Sequence, residues 1–293
     1  MFLCYMHKEH LGFLYGTIAA IASAAMAVTI KLAADLPTET MVFARFVLGL
    51  PLLLPFIWHK RVHISLKLMP KHLVRGFAGL AALYCYFYAV KELPLVNAVT
   101  LSNTAPLFMP LVVWVWLRMI VSKLRMCALS LGFVGVLILL RPIGMVFEWA
   151  SLAGLCTGLL VAIALLGVRQ LSKTESTETI LVYYFLICTV LTFLPMLLAW
   201  KPIPDFTHWM YLVVIAVVSM IFQFALTKSF SHAPATKAST LIYLAVVFGG
   251  LAGWLIFGEV PDVWVWIGTC LIILGALLAL FDPTPSRHIH PKN

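Results

Sequence analysis

One arginine stands inside an apolar run: Arg45, about seven residues into the stretch 38–58. A guanidinium at that depth must reach a membrane surface, pair with a helix end, or line a wet cavity. In the last case it gates a path or orients an anionic group. Its own stretch offers only Glu39, at the entrance, as a counter-charge. Polar residues add four stripes. On a helix, Asn97, Thr100, Asn103 and Thr104 share an arc of about 120°, and Thr236, Ser239, Thr240 and Tyr243 one of about 100°. Ser219, Gln223 and Thr227 form a third stripe, and Tyr84, Tyr88 and Lys91 a fourth. This chemistry is hydrogen-bonded recognition, not bond making. For a single Ser or Thr the first reading is an interhelical bond of about 0.6 kcal/mol. The candidate substrate contacts are Arg45, Tyr84, Tyr88, Asn97, Thr100, Asn103, Thr104, Gln223, Thr240 and Tyr243.

Catalytic groups are not expected. The 11 acidic residues all fall in expected loops or helix ends. A membrane-embedded carboxylate relay is therefore missing, which turns the expectation from proton coupling toward exchange or uniport. No Asp or His cluster suggests a metal, and none of the six Cys forms a Cys-x-x-Cys pair. The cysteines read as small packing hydrophobes, and no cofactor is expected.

These residues need elements that can hold them in lipid. Hydrophobic residues make up 63% of the chain and charged residues 11%, with a mean hydropathy of +1.04. Soluble domains are about 45–50% apolar and about 25% charged. The spacing predicts ten spanning helices, at 11–33, 38–58, 72–91, 96–118, 124–141, 149–171, 179–199, 208–230, 235–257 and 262–281. Continuous runs rather than short alternations exclude a β-barrel. The fold class is an all-α integral membrane protein.

The net charge of +9 invites a nucleic-acid reading, but its distribution does not. With a cytoplasmic amino terminus, 15 Lys and Arg fall inside and 4 outside, Arg45 aside. That bias predicts both termini in the cytoplasm and makes the basic residues, Arg75 among them, topological anchors. No cleavage site follows a short apolar core near the amino terminus, so the first helix reads as retained. The expected location is a bacterial inner membrane. The expected partners are lipid and a small-molecule substrate, with no nucleic acid; a homodimer is compatible with the plan.

A shift of 140 residues lays Pro94–Leu140 over Pro234–Leu280 with 12 identities in 47 positions, including Pro94/Pro234, Thr100/Thr240, Trp114/Trp254 and Gly135/Gly275. Roughly four would arise from shared apolar composition, so the excess indicates duplication. Each half then has five spans, an odd number, and the second must enter the membrane from the opposite side. Inverted repeats of this kind are a recurring plan of secondary transporters. The two halves are expected at 1–145 and 146–293.

Tyr88-Ala-Val-Lys-Glu-Leu-Pro94, Asn97-Ala-Val-Thr-Leu-Ser-Asn-Thr-Ala-Pro106, Phe230-Ser-His-Ala-Pro234 and Gly253-Trp-Leu-Ile-Phe-Gly-Glu259, with Phe43-Ala-Arg45-Phe in the second span, carry a resemblance. Together they resemble the drug/metabolite transporter superfamily, in its EamA-type ten-helix branch. One departure is that Gly258-Glu259 has Arg118 and Met119 as its first-half counterpart. The resemblance implies transport of a small polar or amphipathic metabolite by alternating access, export more often than uptake. Uptake of a nucleoside-like compound such as S-adenosylmethionine is the alternative. Two other classes, an enzyme on lipid-linked substrates and a structural partner, lack the reactive groups or gain no support from the motifs.

Overall fold

With no water in the hydrocarbon, backbone N–H and C=O groups must bond within the segment, so apolar runs of this length become helices. The computed structural model describes residues 2–60, 68–117, 123–140, 149–172, 174–232 and 243–280. In the first half these form α1 (Phe2–Leu32), α2 (Thr38–Val47), α3 (Leu50–Lys60), α4 (Met69–Glu92), α5 (Leu95–Ser102), α6 (Ala105–Leu117) and α7 (Lys123–Leu140). The second half has α8 (Trp149–Leu171), α9 (Thr177–Leu198), α10 (Phe206–His232), α11 (Leu244–Phe257) and α12 (Val263–Leu280). Among the described residues, seven segments are long and apolar enough to cross a membrane, and three shorter apolar helices lie at the remaining expected spans. Two spans are each built from two helices: α2 with α3, and α5 with α6.

Those interruptions have local causes. Gly49 separates α2 from α3, and a Cβ there would strike the Phe185 ring and lie 2.8 Å from the Arg45 carbonyl. At the α5–α6 junction, Thr104 Oγ1 bonds the Leu101 carbonyl at 2.6 Å and Asn103 Nδ2 the Val99 carbonyl at 2.8 Å. Such local side-chain bonds compete with the helical ladder. Thr104 is wholly buried against Gly158 of α8, where a Cβ would strike its hydroxyl. Under the 140-residue shift, Thr104 corresponds to Leu244, where α11 begins, so the same place is marked in both halves.

The two halves pack with two-fold symmetry. A Cβ on Gly135 of α7 would lie 2.7 Å from the Gly268 carbonyl and 2.8 Å from the Ile272 nitrogen of α12. A Cβ on Gly275 of α12 would lie 2.6 Å from both the Ala128 carbonyl and the Gly132 nitrogen of α7. Subtracting 140 from the second-half numbers turns the first set of contacts into the second. Rising numbers on one helix meet falling numbers on the other, so the crossing is antiparallel, as inverted repeats require. The same symmetry relates the packing of α1 on α10 to that of α8 on α4. Small residues permit these close approaches. The shared core joins both halves, with Phe46, Phe87, Leu95, Phe185 and Ile215 among its fully buried members.

Candidate functional site

Arg45 lies in the last turn of α2 and is 1% exposed, so it does not snorkel to the outer surface. Its Nε and Nη1 find no hydrogen-bond partner among the described residues. Its guanidinium lies 5.4 Å from the centre of the Phe46 ring. Phe46 meets Tyr184 of α9 edge-on at 5.4 Å.

The face of Tyr184 leads to a residue that sequence reasoning placed elsewhere. Arg75, expected to be a cytoplasmic anchor, is 7% exposed, and its guanidinium stacks 4.0 Å above the Tyr184 ring. The correction has a simple cause. Gly79, one turn further along α4, has no side chain, and a Cβ there would strike Arg75 Nη1. The arginine therefore runs along its helix into the membrane instead of back to the surface. Its Nη2 donates weakly to Gln223 Oε1 on α10, at 3.4 Å, and its Nε has no partner among the described residues. The centre thus holds Arg45, Arg75, Tyr184 and Gln223, from four helices of both halves.

The other expected contacts divide. Tyr84 is half-buried and Tyr243 is buried, and both hydroxyls lack a partner among the described residues, as does Asn97 Oδ1. Thr100 bonds its own helix at the Val96 carbonyl, 2.7 Å, and approaches Thr269 Oγ1 at 3.5 Å. With Asn103 and Thr104 it supports the interrupted helix rather than presenting a free hydroxyl. Tyr88 is 42% exposed and lies off the buried face of α4, which carries Arg75, Gly79, Leu83 and Tyr86. Thr240, with Thr236 and Ser239, lies outside the described residues. A groove between α4 and α9 is lined mainly by apolar side chains, Met69, Leu73, Leu186 and Val190 among them, with Tyr183 beside them.

Polar and charged side-chain pairs close both ends of the bundle. At one end, His72 Nε2 meets Glu175 Oε2 at 2.8 Å, with its ring stacked on Tyr183, and Lys228 lies 3.7 Å from Glu178. At the other end, α11 terminates at Gly258, whose φ of 66° is left-handed, and Glu259 N bonds back to the Gly253 carbonyl at 3.0 Å. This glycine-dependent cap folds the chain back on itself. It delivers Glu259 to the amino terminus of α5, where Oε2 accepts from Leu95 N at 2.6 Å, and to an ion pair with Lys31. Lys31 also donates to the Leu93 carbonyl at 2.8 Å. A carboxylate at a helix amino terminus satisfies an otherwise orphaned N–H and the helix dipole. The Gly-Glu signal was visible in the sequence, but its partner helices were not. Among the described residues, no group of His, Cys, Asp or Glu is arranged to hold a metal.

An EamA-like transporter family model matches residues 10–141 and again residues 148–281. The chain belongs to the EamA-like transporter family. As a family member it is a multi-pass membrane transporter of a small metabolite, not an enzyme. It is 32% identical to a pseudopaline exporter, CntI, of Pseudomonas aeruginosa, over 91% of this chain and 94% of that protein. It is 28% identical to a riboflavin transporter of Vibrio cholerae, over 86% of each. An S-adenosylmethionine uptake transporter of Rickettsia bellii is 24% identical over 82% of each chain. One solved structure shares the fold of this transporter, with a TM-score of 0.67 at 18% identity, covering 92% of this chain and 96% of that one.

Proposed function

We propose that this transporter exports a small amphipathic, amino-acid-like metabolite across a bacterial inner membrane by alternating access. The observation that carries this reading is the two-fold contact of α7 with α12 at Gly135 and Gly275. Two inverted halves, 1–145 and 146–293, that exchange conformations open one central site to opposite sides in turn. The site is the polar centre around Arg45, Gln223, Tyr84 and Tyr243, with Asn97 nearer the α5 end. Thr100, Asn103 and Thr104 hold the interrupted helix beside it, and the 140-residue shift adds Thr240 to the proposed contacts as the counterpart of Thr100.

Both termini lie in the cytoplasm, which sets the His72–Glu175 pair at the cytoplasmic end and Lys31–Glu259 at the outer end. The charge bias supports this topology. Each chain carries a whole pathway, so a homodimer would hold two of them. Apart from Glu9, two turns into α1, the described acidic residues lie at helix ends and connections, which favours exchange or uniport over a buried proton relay. Export is favoured by the name of the relative at 32% identity. The second reading, uptake or exchange of a nucleoside-like metabolite such as S-adenosylmethionine, draws on the relatives at 24% identity.

The test is a thermal-shift screen of the purified protein against a metabolite library, followed by counterflow of each hit in proteoliposomes and by flux in everted and right-side-out vesicles. A ligand of the native state raises its apparent stability. Hits that show saturable counterflow support a transporter, and accumulation in everted vesicles supports export. Absence of counterflow by every hit refutes the proposed function.

A further inference from the structure

The geometry points to a carboxylate site at the membrane centre: the guanidinium groups of Arg45 and Arg75 together bind the carboxylate of an organic anion, with Tyr184 and Phe46 as its aromatic floor. This deepens the transport reading above and rests on it.

Depth comes first. Arg45 is seven residues from the start of α2, about 10 Å along the axis, and Arg75 is six from the start of α4, about 9 Å. Their helices enter from opposite ends of a hydrocarbon layer about 30 Å thick. That leaves about 10 Å between the two positions along the membrane normal, a gap that two arginine side chains can close. Arg75 does reach inward, past Gly79 and onto Tyr184. Phe46 and Tyr184 then connect the two guanidinium groups ring to ring.

Charge comes second. Two buried cations face one centre, and among the described residues neither has a carboxylate partner. Glu175 is held by His72, Glu178 lies beside Lys228, and Glu259 is held by Lys31. Among the described residues, the acceptors beside the pair are neutral: Gln223 Oε1 and the Tyr184 ring and hydroxyl, both at Arg75. Burying like charges without a counter-ion is expensive, and a fold that retains them keeps them for a ligand.

Ligand chemistry comes third. A guanidinium presents a planar fork of donors that matches a carboxylate with two parallel bonds. Nε and Nη1 of Arg45 and Nε of Arg75 have no partner among the described residues, so the carboxylate is shared between the two guanidinium groups. The class is therefore a small organic acid or acyl amino acid.

The experiment uses the full-length protein in detergent at constant ionic strength. The probes are glutarate and N-acetylphenylalanine, their neutral amides, and inorganic phosphate. Wild type is compared with Arg45→Met, Arg75→Met and Arg75→Lys. The carboxylates should raise the melting midpoint and the amides should not. The Met variants should weaken carboxylate binding by about 30-fold or more, and Arg75→Lys should recover only part, since it restores charge without the fork. With no probe present, Arg75→Met should melt at or above the wild-type midpoint, because it removes an unpaired buried charge and keeps the volume. The last readout needs no ligand.

The assignment is overturned if the amides shift the midpoint as much as the acids, if phosphate alone does so, or if no probe does. It is also overturned if either Met variant keeps the wild-type response. Counterflow of a neutral metabolite that survives both Met substitutions would remove the carboxylate site and leave the transport reading standing. Loss of counterflow for every screened metabolite in wild type would instead remove the transport reading.

Discussion

Removing the Glu259 carboxylate should open the end of the bundle that it closes. The perturbation is Glu259→Ala. The wild-type carboxylate accepts from Leu95 N at 2.6 Å and pairs with Lys31, and the two side chains are only 20% and 18% exposed. A hydrogen bond to a charged acceptor contributes about 1.5–3 kcal/mol. The ion pair is partly shielded from water, so it adds about 1 kcal/mol, near the upper end for pairs in contact with solvent. A total of about 3 kcal/mol favours the closed arrangement, and its loss shifts an open–closed equilibrium by roughly 150-fold. The assay is maleimide labelling of a single cysteine at Ala98, which is fully buried on α5 below the cluster, in a background without other cysteines. An impermeant reagent added from outside should label the Glu259→Ala protein at least tenfold faster, allowing for incomplete coupling of opening to reaction. Glu259→Gln, which keeps an acceptor for Leu95 N, should lie between the two. Equal labelling of all three proteins, with each monodisperse on size exclusion, would refute the idea that Glu259 holds this end closed.

Gly135→Val forces a side chain into the α12 backbone and should destabilise the bundle by about 2–4 kcal/mol. By contrast, a Cβ on Gly258 meets nothing within 4 Å, so Gly258→Ala should cost only about 1 kcal/mol of left-handed backbone strain; melting curves in detergent compare the two. Tyr88→Phe should leave flux of any identified substrate within about twofold of wild type, because an exposed side chain off the packed face contributes little. A larger loss in flux assays would return Tyr88 to the site. Asp205, beside the start of α10, is held below the ordinary carboxylate range first by its 2.7 Å contact with His208. Its stabilising contribution is present above the unfolded carboxylate value and is lost as pH falls through the lower folded one. The melting midpoint should therefore fall with acidification below about pH 4, and Asp205→Asn should flatten that part of the profile.

Much of the architecture could be read from residue order because it depends on local properties. Apolar run length sets the spans, the Lys and Arg count sets the expected orientation, and the Gly135/Gly275 identity marks the contact about which the halves are related. The polar centre was only partly legible. Arg45 stood out because it lies in an apolar run, whereas Arg75 lay close enough to a helix start to pass for an anchor. The stripe Tyr84, Tyr88 and Lys91 shares a helical face, but of the three Tyr88 is exposed and Lys91 is spent on the Leu36 carbonyl, at 2.8 Å.

The sequence by itself determined where each residue lies along its helix, since rise and periodicity are local. Only the tertiary structure decided which way α4 is rotated, that Gly79 lets Arg75 lean inward, and that Glu259 caps a helix 164 residues away. Those outcomes depend on neighbouring helices that are distant in the chain. A long side chain can bring its charge to either end of a helical turn, and the room left by its neighbours selects between them.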